Sequence, residues 1–132
     1  HSRKVVVFRG VRIMLQVCYD LRFPVFVRNR DDYDMIIYVA SWPIARKIAW
    51  NTLIRARAIE NQCYVAAVNR VGVDQFGVYS GDSVLISPYG ENVVVAEESK
   101  VDMVSAELDM DKLNHFREKF PVLDDADTYM YM

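Results

Sequence analysis

The sequence predicts a single α/β domain, and three observations lead to this prediction. The chain has 132 residues, which suits one domain with a sizeable core. Residues 35–40 are apolar throughout, as is typical of a strand buried on both faces of a sheet. Residues 44–61 instead carry apolar side chains at helical spacing, with Arg55, Arg57 and Glu60 marking another face, so a long helix follows that strand.

The composition excludes several classes of protein. Apolar residues make up 52% of the chain and charged residues 26%, a balance that rules out intrinsic disorder for most of it. Sixteen basic residues against eighteen acidic ones give a net charge of −2, so we expect neither nucleic acid nor a membrane as a partner. The apolar runs are too short to span a bilayer. Two cysteines favour a reducing, cytoplasmic compartment over a disulfide-rich secreted one.

β-branched residues on either side of Gly10 predict a first pair of strands. These strands span residues 5–8 and 11–17. Cys18 falls at the end of the second strand. Pro24 then opens a short helix within residues 19–29, because proline presets the backbone of a first helical turn.

Turn residues and apolar runs define the remaining elements. After a polar loop at 31–34 come the strand 35–40, the helix 44–61, a strand at 63–68 and a Gly-bearing loop at 70–81. An antiparallel meander is expected at residues 83–86, 92–96 and 101–108. Asp109 suits the N-cap of a helix that runs to about residue 119, and the acidic, aromatic tail 124–132 either docks on a partner or is loose.

Cys18 is the sharpest candidate for chemistry. A thiol at the end of a buried strand, followed at once by a turn and a helix, is presented at the edge of a sheet where backbone N–H groups are free to bind an oxyanion. The arrangement resembles a nucleophile elbow with Cys in place of Ser. Taken alone, a single Cys in an apolar strand is more often a small buried hydrophobe, and a reactive one needs a base or a cation to form the thiolate.

Four strings of residues, in order and spacing, resemble the nitrilase (carbon-nitrogen hydrolase) superfamily. They are residues 17–24 (VCYDLRFP), 40–43 (ASWP), 55–62 (RARAIENQ) and 68–72 (VNRVG). The likeness extends from about residue 3 to residue 127 and is greatest for the bacterial omega-amidase branch. Several strings in one register argue against a chance similarity.

The resemblance implies a nitrilase-type four-layer α-β-β-α sandwich that hydrolyses amides through a Glu-Lys-Cys triad, with no metal and no other cofactor. Cys18 matches the nucleophile, which attacks the amide carbon, releases ammonia and leaves a thioester for water to hydrolyse. The backbone N–H of Tyr19, together with the Lys, matches the groups that hold the oxyanion.

This sequence departs from the family pattern, because the family's Glu and Lys both precede the Cys. Only seventeen residues precede Cys18, none of them is Glu, and Lys4 is too close to its strand to match the family's Lys. Complete members of the family are longer. We therefore expect residues 1–132 to be the C-terminal half of a single carbon-nitrogen hydrolase domain that is inactive by itself.

Other polar residues near these strings have structural interpretations. Glu60 matches a helix position with a structural role and can pair with Arg57 one turn earlier. His115 lies on an amphipathic helix, where solvation is the simpler interpretation. Asp20 and Arg22 follow the nucleophile and are expected to brace its turn through charged hydrogen bonds.

The substrate site is predicted at the ends of the strands next to Cys18. Trp42 and Arg46 follow one strand and Asn69 ends another, where α/β sheets gather their ligands, although capping and packing explain Trp42 and Arg46 equally well. An omega-amidase substrate carries a carboxylate remote from its amide, so an Arg is apt there; Arg46 is the first choice and Arg70 the second. Cys63 is assigned to packing.

The sequence therefore predicts an amidohydrolase half that acts on the terminal amide of a small keto-dicarboxylic acid monoamide such as 2-oxoglutaramate. The resemblance implies a small-molecule amide as partner and a homo-oligomer, with a dimer expected. The alternative is a non-catalytic fragment or degenerate homologue that serves only as an assembly module, which the missing Glu and Lys favour for this chain as written.

Overall fold

The structure is a computed structural model that describes residues 3–130 and Met132. Its strands are β1 (Val5–Phe8), β2 (Val11–Val17), β3 (Met35–Ala40), β4 (Tyr64–Asn69), β5 (Val71–Asp74), β6 (Gly77–Ser80), β7 (Val84–Ile86) and β8 (Asn92–Val95). Its α-helices are α1 (Pro24–Val27), α2 (Lys47–Glu60) and α3 (Met110–Lys119), and 3-10 turns occupy Cys18–Arg22, Ile44–Arg46 and Val122–Asp125. The predicted α/β class is confirmed.

Six strands form one mixed sheet in the order β1-β2-β3-β4-β7-β8. The three central strands β2, β3 and β4 run parallel, and the outer strands pair antiparallel. Arg9 and Gly10 both have positive φ, of 49° and 79°, which is the backbone that a tight two-residue hairpin between β1 and β2 requires. Parallel central strands align their carboxyl ends, and this alignment creates the site.

Helix α2 covers one face of the sheet. Trp50, Ile54 and Ala58 on the helix share a buried cluster with Ile36 of β3 and Val65 of β4. Alternate residues along each strand point to this face, because side chains of a strand alternate between the two faces of its sheet. The sequence of residues 35–40 predicts a strand with two buried faces, and the apolar stripe of α2 covers one of them.

The opposite face of the sheet is apolar and partly exposed in this chain. One row runs across five strands in register through Leu15, Ile37, Ala66, Leu85 and Val94. A second row, Val17, Val39 and Val68, has exposed fractions of 60%, 48% and 51%. An apolar surface of this extent on a folded chain is typical of a surface that another layer covers.

An ion network closes the edge of the sheet at the amino ends of the parallel strands. The buried carboxylate of Asp34 accepts hydrogen bonds from Arg12 at 2.8 Å and from Arg117 of α3 at 2.9 Å. Burial opposes ionisation of Asp34, but the hydrogen bonds from the two arginines outweigh it and hold the pKa of this carboxyl below its ordinary value. Arg117 also donates to the carbonyls of Tyr33 and Gln62, so it fastens α3 to the start of β4.

Two predicted elements are wrong. Residues 70–81 are not an open loop, because β5 and β6 form a hairpin in which the Asp74 carboxylate accepts the N–H groups of Phe76 and Gly77 and closes the turn. Residues 101–108 form no strand within the described chain. There the Asp102 carboxylate accepts the N–H groups of Glu97 and Met103, so side-chain bonds to the backbone replace the ladder that the meander requires.

Helix boundaries match the sequence prediction more closely. Pro24 opens α1, and the Asp109 side chain caps α3 by accepting the N–H of Lys112 at 2.9 Å. In the tail, the Tyr129 hydroxyl donates to the carbonyl of Val25 at 2.7 Å, and Tyr131 lies outside the described residues. None of the described helices combines the length and the apolar character that a membrane crossing requires.

Candidate functional site

The carboxyl ends of three neighbouring parallel strands meet at one edge of the sheet. Cys18 directly follows β2, Trp42 comes two residues after β3, and Asn69 is the last residue of β4. The prediction that the strand before Trp42 neighbours the strand before Cys18 is confirmed. Ligands of α/β sheets gather at such an edge, so the topology makes this the candidate active site.

Cys18 sits on a strained turn. Its φ is +44°, a left-handed backbone that side chains other than glycine rarely adopt, and a 3-10 turn begins at this residue. The thiol is half-buried, with Sγ 3.9 Å from the carbonyl oxygen of Ser41. The Asp20 carboxylate accepts the N–H of Val17 at 3.0 Å, so it ties the turn back to the end of β2. This is the geometry of a nucleophile elbow.

A buried arginine braces the same turn from below. Arg57 of α2 donates to the carbonyl of Leu21 at 2.6 Å, inside the turn that Cys18 begins. Its other terminal nitrogen pairs with Glu60 at 3.1 Å, so the proposed pairing of these two side chains is confirmed. The assignment of Arg57 to a polar helix face was wrong, because only 4% of this residue is exposed.

Trp42 and Asn69 lock together beside the elbow. The Asn69 side chain accepts the N–H of Trp42 at 2.7 Å and donates to the carbonyls of Trp42 and Gly81, each at 2.9 Å. The indole N–H of Trp42 donates to the carbonyl of Arg46 at 2.8 Å, and Arg22 stacks over its ring at 4.9 Å. Asn69 therefore aligns the ends of β3 and β4 through backbone contacts, while Arg22 contacts an aromatic face near Cys18.

Two arginines lie farther out along this edge. Arg70 forms an ion pair with Asp74 at 2.8 Å and stacks over the ring of Tyr79 at 4.3 Å. Arg46 is exposed, forms no ion pair within the described residues, and its charge reaches the hydroxyl of Tyr79. Burial and Asp74 raise the pKa of Tyr79, whereas the two arginines oppose that rise. Of these two arginines, Arg46 is thus the one whose charge is not engaged in an ion pair within the described residues.

A cleft of about 380 Å³ opens beside Asn69. Arg70 and Gly81 line one part of it, and the extended segment that includes Val101 and Met103 lines another. The segment that was expected to form a strand therefore borders the candidate site instead of extending the sheet.

The remaining sequence candidates lie away from this edge. Cys63 is fully buried just before β4, and burial raises the pKa of its thiol, so it is held as the neutral thiol at neutral pH. His115 is exposed on α3, a helix that Tyr64 and Arg117 fasten to the amino end of β4. The edge that carries Cys18 is at the other end of that strand.

Sequence reasoning missed Arg57 as part of the site. A signal was present, because Arg57 lies one turn after the apolar Ile54 and directly before Ala58, both on the covered stripe of α2. Its partner, the carbonyl of Leu21, is 36 residues away in sequence, so only the folded chain shows the contact.

The fold and the site together define an α/β protein with a cysteine at a strand-to-helix elbow. A family model described as Carbon-nitrogen hydrolase matches residues 1–118. The chain belongs to the carbon-nitrogen hydrolase family, and the resemblance found in its sequence is confirmed.

Named relatives and a solved structure agree with this assignment. The chain is 51% identical over 132 residues to the omega-amidase YafV of Yersinia enterocolitica, covering 99% of this chain and 52% of that protein. It is 38% identical over 125 residues to the 2-oxoglutaramate amidase of Bacillus subtilis, covering 92% of this chain and 48% of that protein. The chain therefore spans about half the length of the curated relatives that it matches.

The structural comparison leads to the same family. The crystal structure of XC1258 from Xanthomonas campestris is described as a CN-hydrolase superfamily protein with an arsenic adduct in the active site. It superposes with a TM-score of 0.95 at 45% identity, covering 100% of this chain and 53% of that chain.

Proposed function

We propose that residues 1–132 are the C-terminal half of a carbon-nitrogen hydrolase domain that hydrolyses the terminal amide of small omega-amido keto acids and releases ammonia. The observation that carries the proposal is Cys18 at φ +44° on an elbow at the carboxyl edge of parallel strands. The relatives are themselves amidases, one an omega-amidase and one a 2-oxoglutaramate amidase, which disfavours a purely structural assembly module.

Cys18 is the nucleophile in this proposal. Its thiolate attacks the amide carbon to form a C–S bond, and the carbonyl π electrons move onto oxygen. The N–H of Tyr19, at the start of the 3-10 turn, holds that oxyanion. Collapse of the tetrahedral intermediate expels the amine, which leaves as ammonia after taking a proton, and water then cleaves the thioester to the carboxylic acid. The arsenic adduct in the active site of XC1258 is in keeping with a thiol, since arsenic is a soft, thiolate-seeking element.

The proton transfers and part of the oxyanion charge need a general base and a cation in addition to Cys18 and the N–H of Tyr19. Glu60 is engaged with Arg57. Lys4 precedes β1, where its carbonyl accepts the N–H of Leu15 at 3.0 Å near the elbow end of β2, but none of the described contacts joins its side chain to Cys18. We propose that the family's Glu and Lys come from another segment, which also covers the exposed sheet face with the second sheet of the four-layer sandwich. One surface thus serves assembly and completes the site.

Trp42, Arg46 and Asn69 form the substrate-binding wall in this proposal. The buried ring of Trp42 packs beside the elbow under Arg22, and Asn69 holds the backbone of Trp42 in place. The exposed guanidinium of Arg46, which forms no ion pair within the described residues, binds the remote carboxylate of the substrate in this proposal. We also infer a cytoplasmic homodimer. Both cysteines are free thiols, as a reducing compartment requires, and α2 exposes Ile48 and Ile59 to a second copy.

The test of the function is ammonia release by the full-length protein that carries these residues. We expect 2-oxoglutaramate to be hydrolysed with a kcat/KM at least tenfold above that for a neutral amide of the same length, because one charged hydrogen bond is worth about 1.5 to 3 kcal/mol. Release of ammonia from neither substrate by a folded full-length protein would remove the omega-amidase assignment.

Substitution of Arg46 tests how the substrate is selected. We expect Arg46→Ala to raise KM for the carboxylate-bearing amide by about ten- to hundredfold, since a charged hydrogen bond is lost, and to leave KM for the neutral amide nearly unchanged. Steady-state kinetics on both substrates measure the difference, with Arg30→Ala, an exposed arginine outside the candidate site, as the control. Equal effects on the two substrates would assign Arg46 to structure.

A further inference from the structure

Three buried polar atoms lie between the sheet and α2 without a hydrogen-bond partner in the described chain. They are Oε1 of Gln16, the hydroxyl of Tyr38 and Nε of Arg57. The exposed fractions of these three residues are 5%, 0% and 4%. Buried polar groups in folded proteins are almost always satisfied, because an unpaired one loses its hydrogen bonds to water without replacement, so three together call for a physical explanation.

The fold places the three residues together beneath the elbow. Gln16 and Tyr38 are direct register partners on β2 and β3, and both point to the face that α2 covers. The positive charge of Arg57 acts on the hydroxyl of Tyr38, and the charge of Asp20 in the elbow reaches the same hydroxyl. Gln16 is two residues before Cys18, and Arg57 already holds the carbonyl of Leu21 at 2.6 Å.

The three unpaired atoms are chemically complementary. The Nε–H of an arginine can only donate a hydrogen bond, a tyrosine hydroxyl both donates and accepts, and the Oε1 of a glutamine only accepts. A hydrogen-bond chain from Arg57 through Tyr38 to Gln16, direct or bridged by water, would satisfy all three atoms at once. A buried polar site with several partners is the kind that holds such a water.

We propose that Arg57, Tyr38 and Gln16 form a hydrogen-bond chain that positions the nucleophile elbow. At one end of this chain, Arg57 donates a hydrogen bond to the carbonyl of Leu21 in the turn after Cys18. At the other end, Gln16 belongs to β2, the strand that ends directly before Cys18. The chain therefore connects both sides of the strained residue to one helix. These side chains act through the backbone of the elbow, on the direction of the Cys18 thiol and of the Tyr19 N–H, and do not contact the substrate. This inference rests on the proposed role of Cys18.

Tyr38→Phe is the sharpest test, because it removes one hydroxyl and keeps the ring. In the full-length protein we expect kcat for the amide to fall about ten- to hundredfold with KM nearly unchanged, since small misplacements of reacting groups carry losses of this size. The rate of Cys18 alkylation by iodoacetamide is expected to fall as well. A hydroxyl that merely filled space would predict the reverse, a wild-type kcat and a raised free energy of unfolding, because an unsatisfied buried group is removed.

Tyr33→Phe is the matched control. Tyr33 is equally buried, but it precedes β3, and its hydroxyl donates to the carbonyl of Val27 at the other end of the strand. We expect this variant to lose stability while keeping kcat and the alkylation rate. A kcat loss of the same size in both variants would overturn the proposal, as would wild-type kcat and alkylation in Tyr38→Phe.

Gln16→Met is a second variant that tests the same proposal if Tyr38→Phe does not fold. Methionine keeps the length of the side chain but offers no amide oxygen, so we expect the same loss of kcat at constant KM. The rate of Cys18 alkylation tests the positioning chain independently of the proposed amidase function, because it needs no substrate. If no amide is hydrolysed but Tyr38→Phe and Gln16→Met still slow Cys18 alkylation, the positioning chain stands and the substrate assignment falls; unchanged alkylation in both variants overturns the chain itself.

Discussion

Cys18→Ala is expected to abolish amide hydrolysis in the full-length enzyme, whereas Cys63→Ala leaves most of it. Cys18 alone is half-buried on a left-handed turn at the edge where the parallel strands end. Alanine leaves no atom that can form the thioester, and loss of a covalent nucleophile removes activity by several orders of magnitude, about 10⁶-fold in a well-studied serine hydrolase. Ammonia release on 2-oxoglutaramate measures the loss.

Cys63→Ala is the matched control for this prediction. Its thiol is fully buried and lies 3.9 Å from the carbonyl of Arg57, and burial raises its pKa, so it does not supply a thiolate at neutral pH. The expected effect of Cys63→Ala is on stability, because a small void is left in the core. Mass spectrometry after brief alkylation should find the label on Cys18 and not on Cys63. Comparable activity losses from the two alanine variants would remove the nucleophile assignment.

Residues 1–132 expressed alone are expected to be catalytically silent and to aggregate. Catalysis needs a base for the thiol proton and a cation for the oxyanion, and loss of a single oxyanion donor already costs about 10² to 10³ in rate. Folding suffers separately, because the apolar rows through Leu15 and through Val39 are left partly exposed to solvent. The edges of the sheet add unpaired backbone groups that can template association.

The experiment measures ammonia release and sedimentation for these residues alone and after addition of the complementary N-terminal segment in trans. We expect the added segment to restore a defined particle and some activity. A variant with Leu15→Glu on the open sheet face is expected to resist that rescue, whereas Met130→Glu, which changes an exposed residue of the tail, is expected to be rescued like the unmodified chain. A monodisperse, active monomer from residues 1–132 alone would falsify the proposal that they are half of a domain.

Much of the fold and part of the site followed from local pattern. Residues 35–40 are apolar at every position, and they form the strand β3 that such a run predicts. Only the face under α2 is buried within this chain, since Val39 on the other face is 48% exposed. Asp109 caps α3 as expected, because N-capping depends only on the residue and the N–H groups of the next turn. Cys18 could be placed at an elbow for the same reason, since its strand and the following Pro24 are adjacent in sequence. The prediction of Cys18 as the nucleophile depends instead on the family resemblance, which four strings between residues 17 and 72 carry.

Contacts between distant parts of the chain were decided only by the tertiary structure. Residues 101–108 have the composition of a strand, yet in the described structure they join no sheet, and the part from Val101 to Val104 lies along the cleft beside Asn69 and Gly81. Arg57 looks polar and solvated in a helical pattern, yet it is buried because the carbonyl of Leu21 and the carboxylate of Glu60 compensate its charge. The sequence pattern indicates that a side chain is polar, but it does not identify the partner that compensates the side chain when it is buried. That partner depends on how strands and helices pack together in space.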